Sequence, residues 1–402
     1  MILSHLRNKF SQIPNGYYFF GIFCVLFVVL MVTVEMVNGK FWTSDLAVYY
    51  GATNDYFDGI NPYKDYYELP TGYFKYAPTT LYFFYPMVWL KFFIVQILHT
   101  TLLTLSLWIS ISVLHYLFVY REGERKLFGI LYLSFSFIAI HVVREFHMGN
   151  VNLLLLFFFT FGMWNYSRHK QGIGAIWWSI MIVLKPIVIL TFIPLLFLKK
   201  WKVIGYMALC GILYFILPIF YSGFNGLSAV WWNWYEAISN HSNHVQSENS
   251  LSYLLRYYTG FQSEWGASIA FLVLLMVFLA WSIWKYKTLN TIQWLTLFLA
   301  FCPNFFVTDT EHFLLSGPLL IVLLKQLFEQ KNAILWVIYS ICILFFSFNA
   351  NDLLGSQISD PLDRAGLLGL TNLIFIVMYC SICIHSRSSS NNQSVAIHLA
   401  NK

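Results

Sequence analysis

Uninterrupted apolar runs of about 20 residues recur from Tyr17 almost to Ile384, and no other feature of the sequence limits its fold so strongly. A run of that length crosses the roughly 30 Å hydrocarbon layer as a helix. The runs are continuous rather than alternating, which selects helices over a membrane barrel. Of 402 residues, 58% are apolar and only 10% charged, too little polar surface to coat a soluble globule. The sequence predicts an all-α polytopic membrane protein.

Basic residues orient the crossings, because loops rich in Lys and Arg stay on the cytoplasmic side. Arg7 with Lys9, Arg121 with Arg125 and Lys126, Arg168 with Lys170, Lys199 with Lys200 and Lys202, Lys285 with Lys287, Lys325 with Lys331, and Arg387 with Lys402 mark that side. Most acids fall in the intervening segments, so the outer face is acidic, and the formal charge of +6 reflects topology rather than a nucleic-acid partner. Crossings are expected near 17–37, 93–119, 127–143, 150–167, 203–222, 267–286, 290–307, 313–328, 333–348 and 366–384. The first, longer than a signal-peptide core and without a small-residue cleavage site, should remain as an anchor. A single transmembrane domain over 1–385 is expected, with outer loops at 38–78 and 222–265 and a polar cytoplasmic tail at 386–402. The tryptophans of the second outer loop suggest a segment in the headgroup layer.

Two segments do not read as simple crossings. Residues 173–198 lie between two basic loops yet are long enough for only one span, which predicts a hairpin of two half-helices with Lys185 and Pro186 at its midpoint. Residues 79–92, interrupted by Pro86 and closed by Lys91, read as a short re-entrant or interfacial helix. The six cysteines lie in or near apolar helices and read as packing residues.

The candidate chemistry sits at outer helix ends. Asp45 follows the first crossing in the long polar loop "FWTSDLAVYYGATNDYFDGINPYKDYYELPTGYFKYAP". Lys185 lies at bilayer depth, where a charge costs about 2.5–3.5 kcal/mol and needs compensation; it is either an anion site or a lysine snorkelling to an interface. Further polar groups cluster in "REFHMGN" (Arg144, His147, Asn150) with Asn152, in "NSLSYLLR" (Asn249, Arg256) and in "CPNFFVTDTEH" (Asp309, Glu311, His312). Any one alone reads as a helix cap or solvated end. Their shared side suggests a common cavity. No histidine or cysteine spacing fits a structural zinc site, nothing demands a divalent ion, and there is no P-loop or GxGxxG.

In order along about residues 40–320, "SDLAVYYGATNDYFDGINPY", "YAP", "HMGNVNLLLL", "VLKPIVILTFIPLLFLKKWK", "NSLSYLLRY" and "CPNFFVTDTEHFLLSGPL" resemble the membrane proteins of glycosyltransferase family 87, also called DUF2029. The resemblance implies a GT-C-like bundle of about 10 to 13 transmembrane or half-membrane helices with outer-face loops. It also implies a multi-pass protein of the cytoplasmic (inner) membrane whose active site faces the periplasmic, extracytoplasmic side. The implied donor is a polyprenyl-phosphate sugar, as in the family's polyprenyl-phosphate-mannose-dependent mannosyltransferases, and the implied acceptor a glycolipid or glycan. By resemblance Asp45 is the catalytic base, while Lys185 and Glu311 with His312 bound the pocket. The family's last motif carries a serine and a tryptophan after the proline stretch, and this chain departs from it there.

Such a reaction suits the residues. A lipid phosphate is a good leaving group, so the enzyme needs a base for the acceptor hydroxyl and cations for the departing phosphate, without a cofactor. Asp45 supplies the first, Lys185, Arg256 and His312 the second, and one direct displacement inverts the anomeric centre. Tyr49, Tyr50 and Tyr63 are either sugar-stacking platforms or interface anchors. Arg144, His147, Asn150, Asn152, Asn249, Asp309 and Glu311 complete the expected pocket. A lipid-linked-sugar transporter or flippase would also use broken helices and buried lysines but predicts an internal repeat, which the sequence lacks. A glycan polymerase or ligase would carry more outer arginines than Arg144, Arg256 and Arg364.

Overall fold

A computed structural model describes residues 14–64, 67, 72–120, 128–242, 248–262, 265–286, 290–305 and 309–400, without the side chains of 241–242, 286, 351–352 and 384–400. The topology markers Arg7, Lys9, Arg121, Arg125, Lys126, Lys287 and Lys402 lie outside the described residues, as does the side chain of Arg387. The chain falls into two compact units, residues 1–245 and 246–402, and all its described secondary structure is helical. Among the described residues five helices are long and apolar enough to cross a membrane, or up to seven if each of two bent pairs counts as one span. The chain is therefore an all-α polytopic membrane protein, as its composition requires.

The first unit opens with α1 (Asn15–Val37), whose exposed Phe19, Ile22, Leu26 and Leu30 suit a lipid-facing surface. The stretch expected as an outer loop contains instead a helix, α2 (Ser44–Phe57), that carries Asp45 in its first turn. Leu46, Ala47, Val48, Tyr49, Ala52, Thr53 and Tyr56 are buried and no residue of the helix is exposed, so it is enclosed on several sides despite its polar composition. Next come α3 (Pro78–Phe84), running into a 3-10 turn at Tyr85–Met87, and the long α4 (Phe92–Phe118) and α5 (Gly129–Met148). α6 (Asn152–Ser167) packs on α4 and on α7 (Gln171–Leu184).

The segment expected as a hairpin, residues 173–198, is broken at Pro186. α7 stops at Leu184, Lys185 is extended (φ −139°, ψ 98°), and Pro186 begins a 3-10 stretch to Phe192 that leads into α8 (Ile193–Phe197). A residue before proline is pushed out of the helical region, and proline offers no N–H to continue the ladder. The crossing expected over 203–222 is different. α9 (Trp201–Ile216) ends early and the chain turns by 89° into α10 (Ile219–Ser242), so half of the expected outer loop is helix. Pro218 lies in the turn, Gly223 takes φ 68°, and Trp231 and Trp234 tie α10 down by donating to the Phe215 and Lys75 carbonyls.

The second unit contains α11 (Leu251–Thr259), α12 (Gly266–Tyr286), α13 (Thr291–Phe305), a 3-10 stretch at Thr310–Ser316 leading into α14 (Gly317–Gln330), α15 (Ala333–Ser347), and the short α16 (Asn351–Leu354) and α17 (Ser356–Arg364). It closes with α18 (Leu367–Ala400), whose backbone continues through most of the expected polar tail. Buried amides join its helices. Asn304 Nδ2 donates to the carbonyls of Asn249 and Gly369, Asn372 Nδ2 donates to Asn304 Oδ1 at 2.6 Å, and Gly369 N donates to Asn249 Oδ1 at 3.0 Å.

Candidate active site

The site in the first unit is built on the turn between α5 and α6. Gly149 closes α5 in the left-handed region (φ 67°), and its N–H and that of Asn150 both return to the Glu145 carbonyl. A Cβ at Gly149 would stand 2.9 Å from Leu46 Cβ and 3.2 Å from Thr43 Cβ, so only glycine lets the start of α2 lie this close. Thr43 N donates to the His147 carbonyl at 3.0 Å, and Gln96 Nε2 donates to Thr43 Oγ1 at 2.7 Å. These contacts set the first turn of α2, and with it Asp45, against the "HMGNVN" turn.

Glu145 is fully buried, and both carboxylate oxygens accept hydrogen bonds, Oε1 from Leu153 N at 2.9 Å and Oε2 from Asn152 Nδ2 at 2.8 Å. The other end of the Asn152 amide, Oδ1, accepts from Lys185 Nζ at 2.9 Å. Lys185 also reaches Asn150 Oδ1 at 3.3 Å, an oxygen shared with Val151 N at 2.7 Å and the hydroxyls of Tyr49 and Tyr76 at 3.2 and 3.3 Å. The two tyrosine hydroxyls lie 2.7 Å apart, and His99 Nε2 is 3.2 Å from the Asn150 carbonyl. The half-buried Asp45 carboxylate acts electrostatically on both Glu145 and Tyr49, as Lys185 does on Glu145. Burial pushes the Tyr49 phenol well above its ordinary range, with Tyr76 and then Asp45 adding to the effect, so it stays a donor. One ammonium thus stands in a cradle of amide oxygens, in the same unit as a partly accessible carboxylate.

Of the residues singled out from the sequence, Tyr49, Asn150, Asn152 and Lys185 meet here, and Asp45, in the first turn of α2, acts electrostatically on Tyr49 and on Glu145. Tyr50 and Tyr63 lie to the side: their hydroxyls donate to the Leu90 and Tyr76 carbonyls and brace the segment between α1 and α4. His147 pairs with Glu35 at 2.8 Å and packs on Trp42, while Arg144 is half-buried on α5. Glu145, Tyr76 and His99 carry much of the cradle and were not among the candidates. The one sequence hint for Glu145 is a carboxylate placed four residues before a helix-ending glycine that is followed by two asparagines.

The remaining candidates belong to the second unit. The Asn249 side chain is buried on Gly369 N, and the Arg256 guanidinium lies 5.4 Å from the Tyr253 ring centroid. Asp309, Glu311 and His312 bring their ligand atoms within 4.8 Å of one another, close enough to hold a cation, with His312 Nδ1 3.1 Å from the Asp309 carbonyl.

No curated protein matches this chain. The family model of glycosyltransferase family 87 matches residues 74–308, more than half of the chain, taking in Arg144, Asn150, Asn152, Lys185, Asn249 and Arg256. Asp45 precedes the matched region, and Asp309, Glu311 and His312 follow it directly. With an all-helical membrane architecture and this extent of match, the chain belongs to glycosyltransferase family 87 and is a glycosyltransferase.

Proposed function

We propose that the protein transfers a sugar, mannose by preference, from a polyprenyl-phosphate donor to a hydroxyl of a glycolipid or glycan at the extracytoplasmic face of the cytoplasmic membrane, with inversion at the anomeric carbon. The observation that supports this reading is the Lys185 ammonium, held on Asn152 Oδ1 and Asn150 Oδ1 where the apolar helix α7 breaks, in the unit that also contains Asp45. Asp45 takes the proton of the acceptor hydroxyl as its oxygen bonds to the anomeric carbon. The bond from that carbon to the phosphate oxygen breaks in the same displacement, and the lipid phosphate leaves with the electron pair. Lys185 stabilises the charge gathering on that phosphate, in surroundings of low dielectric where a fixed cation acts strongly. A lipid phosphate needs no proton to depart, so the chemistry asks for a base at the acceptor and positive charge at the phosphate rather than a general acid.

Asp45→Asn removes the base while conserving shape. Transfer of label from a radiolabelled polyprenyl-phosphate mannose to an acceptor should fall at least about a hundredfold, in the range typical for loss of a general base. Full transfer by Asp45→Asn would overturn the assignment. Movement of label across the bilayer without transfer would replace it with transport.

A further inference from the structure

Glu145 is a fully buried carboxylate linked to Lys185 through the side-chain amide of Asn152. We propose that Glu145 is a positioning residue that holds Lys185 charged and aimed at the donor phosphate, acting through the side-chain amide of Asn152. This inference rests on the reading of Lys185 as the donor-phosphate cation.

The argument comes from hydrogen-bond inventory. An ionised carboxylate only accepts and an ammonium only donates, so an amide between them can stand in one orientation alone, NH2 to the carboxylate and oxygen to the ammonium. Asn152 is found that way round, with Nδ2 2.8 Å from Glu145 Oε2 and Oδ1 2.9 Å from Lys185 Nζ. The amide couples the negative charge of the carboxylate to the lysine through the hydrogen bonds at its two ends. Glu145 has a second task, since its Oε1 accepts the N–H of Leu153 in the first turn of α6. That task is structural, and the test must separate the two. Lys185, Asp45 and Tyr49 are the ionisable groups that interact electrostatically with Glu145, with Tyr76 and His99 beside them in the cradle.

Glu145→Gln is the informative change. Its amide oxygen can still accept from Leu153 N, which turns its NH2 toward Asn152. Asn152 must then rotate and present its own NH2 to Lys185, setting donor against donor. Binding of farnesyl phosphate to the detergent-solubilised full-length protein reads the cation directly, with farnesol as the uncharged control. Farnesyl phosphate should bind on the order of tenfold more weakly to Glu145→Gln, the scale of one hydrogen bond to a charged group, while farnesol binding is unchanged. In a Lys185→Met background, Glu145→Gln should weaken farnesyl phosphate no further. Adding Asn152→Asp to Glu145→Gln should restore binding, because a carboxylate at 152 accepts from both neighbours. Asn152→Leu, which keeps the cap on Leu153, should reproduce the loss and supplies the test if Glu145→Gln does not fold. Equal losses with and without Lys185, equal losses for farnesol, or no loss would overturn the relay while leaving Lys185 in place. Unchanged binding in Lys185→Met alone would instead remove the phosphate reading and the relay with it.

Discussion

Gly149→Ala should loosen the seat of Asp45 by an amount that can be worked out in advance. The residue sits at φ 67°, and a Cβ there would meet Leu46 Cβ at 2.9 Å, Thr43 Cβ at 3.2 Å and the Thr43 backbone at 3.4 Å. Left-handed backbone costs a residue with a Cβ about 1–2 kcal/mol, offset by about 0.4–1 kcal/mol from the stiffer unfolded chain. Those contacts involve atoms on or next to the backbone, which cannot rotate away, and forcing a methyl among them adds about 1–3 kcal/mol. The net loss is about 3 kcal/mol. Gly59 provides the control, because it has φ 81° just beyond the same helix and nothing within 4 Å of its would-be Cβ. Gly59→Ala should therefore lose only about 0.5–1 kcal/mol, the backbone share alone. Thermal unfolding in detergent, followed by tryptophan fluorescence, ranks the two. Transfer assays should show Gly149→Ala slower at saturating donor, since α2 must shift away from the turn and carry Asp45 with it. Equal melting temperatures for the two variants would refute the close-approach argument.

Two other predictions concern the second unit. Asn304→Leu leaves the Asn249 and Gly369 carbonyls without their shared donor; with about 1–3 kcal/mol for each buried group, thermal unfolding should report a loss of at least about 2 kcal/mol. Burial raises the Glu248 carboxyl above its ordinary value, Asp363 adding and Arg364 partly opposing. Its folded form therefore binds protons more readily than the unfolded chain, so stability rises as pH falls from the raised value toward the ordinary carboxylate range and is lost on the way back up. Glu248→Gln should flatten that slope in melting curves taken between about pH 7 and pH 4.5.

What the sequence disclosed and what it concealed divide along physical lines. Lys185 and Pro186 were legible because a charge and a missing N–H inside an apolar run are local anomalies whose consequence, a broken helix, is also local. The bend after α9 was not: Pro218 falls near the expected end of the 203–222 crossing, where a proline agrees equally well with a helix that simply stops. α2 was read as loop because its sequence is polar and tyrosine-rich, and its helical state rests on contacts with the α5 turn and on Gln96, distant in sequence. Glu145 was passed over for a similar reason. Its role exists only once Gly149 reverses the chain and brings Asn152 back over it, and periodicity carries no trace of a pair formed across a left-handed residue.

Asn150 Oδ1 has more suitors than lone pairs. Val151 N is closest at 2.7 Å, while Tyr49, Tyr76 and Lys185 stand at 3.2–3.3 Å, and a carbonyl oxygen accepts two good hydrogen bonds. Should the lysine swing toward a visiting anion, the phenols take up the slack and the oxygen is never orphaned. The longer contact to Asn150 can therefore be given up without orphaning that oxygen, while the shorter one to Asn152 Oδ1 stays.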